Sequence, residues 1–245
     1  MRVEEKRHIS NLGFLTALGN SHHGVIGGFL VLNMTGRPVE FHCTSPVRPN
    51  KAQEILYGDT LESFVCGEQI APALVGRTKN ELAAVFTNNP NMLPAAALLG
   101  IPLGIVLRRV SESDLGAGEL TDSKAVQTET HTFTSSEAMV DLSSISVSKE
   151  FNEQYPENDK NGDSLFFYES FDKLPFVPGV DYAQWRETVY GKNRFAFPIN
   201  TLSESLENAS FDECVSRVLP FLKSIDLVEP FERIRLAVEE AQKSN

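Results

Sequence analysis

Glu40 and His42 stand two residues apart in the run RPVEFHCT, where Val39, Phe41 and Cys43 alternate with Glu40, His42 and Thr44. A period of two is that of a half-buried strand, and it sets both polar side chains on one face, roughly 7 Å apart. A carboxylate beside an imidazole can orient a general base. Joined by a metal ion, the pair would suit a hydrolase or a nuclease. The plainer expectation is a polar outer face on a sheet solvated on one side.

Other constellations are thinner. Thr87-Asn88-Asn89 follows the apolar run LAAVFT and precedes Pro90, so it reads as the turn from a buried strand into a helix. Small ligands bind at the carboxyl ends of strands in open α/β sheets, which makes these three residues a candidate ligand site, or else an Asx-type helix cap. A metal would have to draw on His22, His23, His42, Cys43 and Cys66, whose spacing matches none of the usual zinc patterns, and no metal site is expected. Gly19 and Gly24 do not together flank Ser21 in GNSHHG as G-x-S-x-G requires. No Walker or G-x-G-x-x-G pattern occurs, and no cofactor is expected. Three cysteines, widely spaced, form neither a C-x-x-C motif nor a disulfide framework.

Residues 165–198 hold ten aromatics among scattered Pro and Gly. Six of them, Phe166, Phe167, Tyr168, Phe171, Trp185 and Tyr190, are candidate partner-binding residues, because clustered rings mark contact surfaces. The competing expectation is that the rings wrap the rest of the chain and complete its core.

The elements that would carry these residues follow from periodicity. Residues 11–24 read as a short apolar segment and a turn. GGFLVLN (27–33) and RPVEFHCT (37–44) read as a β-hairpin around Gly36. A helix is expected from about Asn50 to Tyr57, with Ala52, Ile55 and Leu56 on one face. It is interrupted at Gly58 and restarts at Asp59, with Glu62 completing a capping box. Strands are expected at 82–87 and 103–110, with a short helix at 92–99 between them, as in a parallel β-α-β step. Two helices, about 211–224 and 229–242, close the chain.

The resulting fold class is α/β: an N-terminal β-hairpin followed by an α-β-α-β sheet domain, with an acidic, aromatic-rich extension ending in two helices. Charge suggests the division. Residues 1–110 carry ten Lys/Arg against eight Asp/Glu, a net of +2, whereas residues 111–245 carry twelve against twenty-five, a net of −13. The expected organisation is an α/β domain at 1–110, an acidic and partly flexible linker at 111–164, and a segment at 165–245 that packs on the first domain or on a partner.

A net charge of −11 disfavours nucleic-acid binding by the whole chain, since phosphate contact needs clustered Lys/Arg, and it favours a basic protein partner. No apolar run approaches the ~20 residues of a membrane helix, and the charged start MRVEEKRHIS lacks the apolar core of a secretory signal. A cytoplasmic protein is expected. The functional expectation is a non-enzymatic interaction or assembly subunit that docks onto a protein partner or another copy of itself. The alternatives are a metal-dependent hydrolase or nuclease using Glu40 and His42, and a small-ligand sensor at Thr87–Asn89.

Overall fold

A computed structural model describes residues 11–20, 24–108, 167–199 and 210–243. The acidic segment 111–164, Phe166, Ser21, His22 and His23 lie outside the described residues.

Strands β1 (Asn11–Asn20), β2 (Gly24–Asn33), β3 (Pro38–Cys43), β4 (Leu82–Thr87), β5 (Leu103–Val106), β6 (Trp185–Tyr190) and β7 (Asn193–Pro198) form one seven-stranded sheet in the order β3-β2-β1-β4-β5-β7-β6. The chain is mixed α/β. β1 pairs antiparallel with β2 and parallel with β4, and β4 pairs parallel with β5, as the expected β-α-β step requires. The β2–β3 hairpin pairs Leu30 with Phe41 and Phe29 with His42. β5 then pairs antiparallel with β7, so the sheet runs on into the C-terminal part of the chain.

Helices cover both faces. Gly27 and Gly28 show how closely. A Cβ on Gly27 would overlap Ile70 and Leu74, and one on Gly28 would overlap Ile234. Successive strand residues face opposite sides, so the two glycines admit one helical layer on each face. On the first face lie α2 (Leu61–Ser63), a wide-turned stretch (Phe64–Ile70), α3 (Ala71–Val75) and a tight 3₁₀ stretch (Pro90–Ala97), around a core of Leu15, Phe29, Val31, Val65, Ile70 and Leu74. In the wide turn the Ala71 N–H reaches back five residues to the Cys66 carbonyl, just ahead of Pro72, which has no N–H to offer. On the second face α4 (Phe211–Leu222) and α5 (Glu229–Lys243) pack Phe211, Val218, Phe221, Phe231 and Ile234 against Phe14, Leu30 and Phe86. Ser210 caps α4 by accepting from the Glu213 N–H, and Pro230 sits in the first turn of α5, where no N–H is missed.

Five expectations need correction. Residues 11–20 form a central strand rather than a short segment and turn. Leu12 to Thr16 are buried on both faces, and such a strand reads as a continuous apolar run without alternation. The capping box belongs to α1 (Lys51–Tyr57), where Asn50 and Gln53 bond each other's backbone N–H, and not to Asp59 and Glu62. The helical path continues through Gly58–Thr60, so no cap forms there. The segment read as a helix at 92–99 is 3₁₀ over Pro90–Ala97, because Pro94 lacks the N–H that an α turn would use. The strand read as 103–110 ends at Val106. Last, the aromatic-rich stretch is not irregular throughout. It contains the β6–β7 hairpin, turned at Gly191 with φ of 58°.

Candidate interaction surface

Glu40 and His42 do meet on one face of β3, with Nε2 3.4 Å from Oε2. That face is not a free outer face. The paired residues Val31 and Phe29 belong to the first core, and the loop after α3 leans over the pair. The Thr78 hydroxyl donates to the Glu40 carboxylate, His42 adds a second bond, and the Lys79 backbone N–H a third. These bonds hold the Glu40 carboxyl below its ordinary range against the opposing effect of burial. Both side chains remain about a quarter exposed, 24% for Glu40 and 29% for His42. The expected polar-out alternation is reversed here, because Val39 at 44% and Phe41 at 38% are the more exposed side chains of the strand. β3 is the terminal strand, and the helices of the second face sit over β1, β2 and β4.

Thr87 and Asn88 are buried at the carboxyl end of β4. The Thr16 hydroxyl donates to Asn88 Oδ1 at 2.6 Å, which ties the end of β4 to the middle of its parallel neighbour β1. Thr87 Oγ1 accepts the Asn89 N–H at 3.1 Å, and Asn89 Oδ1 accepts the Asn91 N–H at 3.0 Å. Asn89 is thus the cap of the following 3₁₀ stretch.

The cysteines are set apart. Cys43 packs toward the α4 and α5 side and Cys66 lies in the core of the opposite face. Burial pushes the Cys66 thiol up to about 12, with Glu62 adding to it, so it is neither a ready ligand nor a nucleophile. Among the described residues no three His, Cys, Asp or Glu side chains come together as a metal site.

The aromatic candidates serve largely in packing. The Phe167 ring meets Phe231 edge-on at 5.8 Å, and Tyr190 lies against the second-face core. Phe171 stacks on Trp185 at 5.7 Å, and its N–H donates to Glu187 at 2.7 Å. The Tyr168 carbonyl accepts the Arg108 N–H at 2.6 Å.

Within the aromatic-rich stretch Phe176 is 80% exposed, and two further apolar side chains turned largely to solvent lie next to each other on α1. None of the seven residues of α1 is buried. Ile55 is 71% exposed and Leu56 81% exposed, with exposed Ala52 one turn back on the same face. A helix this short does not hold by itself. The Asn50–Gln53 box pins its start, and Tyr57 stacks on Phe64 at 4.0 Å at its end. The charges around it are mostly acidic. Glu54 pairs with Lys51 at 2.8 Å, and Asp59 and Glu62 follow in the next turns. Periodicity showed the face of α1 but not its direction. The signal available was length, since seven residues between Pro49 and Gly58 are few to anchor a core helix.

No protein family matches the sequence, and no curated protein matches it. Among solved structures, endonuclease V of Ciona intestinalis, crystallised with a 24mer DNA containing an inosine followed by a ribo-adenosine, is similar at 11% identity and a TM-score of 0.35, over 96% of this chain and 87% of that one. A likeness at that level carries no functional argument. Among the described residues no helix is long and apolar enough to cross a membrane.

Proposed function

We propose that this chain is a non-enzymatic interaction or assembly subunit and that α1 presents its contact surface to a protein partner. The observation that carries the reading is the exposure of Ile55 and Leu56 on a helix that is capped at one end, ring-stacked at the other and has no fully buried residue. Burying one Ile or Leu side chain gains about 1.5–3 kcal/mol, so the pair can anchor a small interface. Asp59 and Glu62 beside it, in a chain of net charge −11, favour a partner surface that is apolar with a basic rim.

The enzymatic alternative has less support. Glu40 and His42 touch, but their remaining contacts are the Thr78 hydroxyl and the Lys79 backbone, which position a carboxylate without adding a third reactive group.

The test is the double variant Ile55→Glu with Leu56→Glu in the full chain. Both side chains already face water, so the melting temperature is expected to stay within about 2 °C of the parent. Proteins that co-purify with the parent and are lost on the variant would be the partners. Equal recovery on both chains would remove this surface from consideration.

A further inference from the structure

The free margin of the sheet at β3 has a geometry that suits one specific occupant. The Thr44 N–H donates to the Gly27 carbonyl at 2.9 Å, and His42 and Glu40 pair with Phe29 and Val31. Even-numbered residues therefore turn their amides and carbonyls toward β2, and Phe41 and Cys43 turn theirs away from it. Among the described residues β3 has no strand on that side. Two of its apolar side chains, Val39 and Phe41, remain more than a third exposed. An open edge of this kind is a template for another strand.

We propose that the occupant is β3 of a second copy of this chain, paired antiparallel about a two-fold axis at Phe41. A two-fold interface brings each residue against a residue of the same strand. With Phe41 at the centre, Phe41 opposes the same residue of the second copy, and Glu40 of each copy opposes His42 of the other. Because Phe41 points its backbone outward, the central pair is the hydrogen-bonded kind. The Glu40–His42 pairs then fall at the closer, non-hydrogen-bonded positions, where a carboxylate acceptor and an imidazole donor come nearest each other. Any other centre breaks this match. An axis at Glu40 or at His42 would set like side chains against each other. The register slips at Val39, between the pairs of Val31 and Leu32, and Pro38 offers no N–H. Regular pairing is therefore confined to the stretch from Glu40 to His42, and the register has little freedom to drift. With Thr78, His42 and the Lys79 N–H already bonded, the Glu40 carboxylate keeps one of its about four acceptor sites for a donor from the second copy. The inference uses a different surface from α1 and stands or falls separately from the proposed function.

Sedimentation velocity on the full chain over a dilution series is the test. The parent is expected to dimerise reversibly, and Phe41→Lys to raise the dissociation constant about tenfold, since symmetry doubles each lost contact. Glu40→His sets imidazole against imidazole and His42→Glu sets carboxylate against carboxylate, so each is expected to weaken association. The double variant restores carboxylate–imidazole pairs across the axis and is expected to recover it. Ile55→Glu with Leu56→Glu should leave the dimer intact. A parent that stays monomeric at every concentration would overturn the proposal. So would a folded Phe41→Lys chain that dimerises as tightly as the parent, or a swapped double variant no better than its singles.

Discussion

Glu40 shows how a residue picked out for possible chemistry becomes a structural one. Its carboxylate accepts from Thr78, His42 and the Lys79 backbone, and its pKa is lowered as a result. A carboxyl with a folded pKa below its unfolded value adds stability above the unfolded value, and that stability is lost as the pH falls through the folded one. Glu40→Gln is therefore expected to cost about 0.5–1 kcal/mol at neutral pH, the scale of a partly exposed charged pair. The gap between parent and variant should close in acid, below the ordinary carboxylate range. Urea unfolding at a series of pH values reads this directly, and a gap independent of pH would count against the bonds described. The spacing of Glu40 and His42 was legible in the sequence. Thr78 and Lys79 were not, because they reach the pair from a loop after five further helical segments.

At the scale of elements, the decisive feature is the consecutive glycines of β2. They look like weak points in a strand, yet each gives up its side chain to a helix on one face. Gly27→Ala presses on Ile70 and Leu74, and Gly28→Ala presses on Ile234. Each is expected to destabilise by about 1–3 kcal/mol, the range of overpacked cores. Thermal unfolding checks both, and unchanged melting would mean that the layers can shift outward at little cost. α1 shows the other side of the same logic. Its apolar face has the period expected of a packed helix, yet Ala52, Ile55 and Leu56 stay exposed.

At the scale of the whole molecule, the second face of the sheet depends on helices that arrive late in the chain. Phe14 of the first strand meets Phe231 of α5 at 5.7 Å, and Phe86 of β4 meets Phe195 of β7 at 5.6 Å. A fragment ending at residue 110 would leave Phe14, Leu30 and Phe86 bare on a broad apolar face. Such a fragment is expected to aggregate or to bind hydrophobic dyes as a loosely packed state. A soluble fragment with sharp, dispersed amide resonances would show that the first 110 residues stand without the later helices.

The sequence by itself determined the α/β class, the β2–β3 hairpin, the parallel β4–β5 step and the two closing helices, because each leaves a local trace in periodicity, caps or turn residues. Tertiary structure alone decided that residues 11–20 lie at the centre of the sheet and that β5 takes β7 as its neighbour. It also decided that Ile55 and Leu56 face water. Period tells which side chains share a face and is silent on what covers that face. The pairing of Ile105 with Ala196 joins positions far apart in the chain, and the entropy of closing so long a loop changes too slowly with length to mark either end.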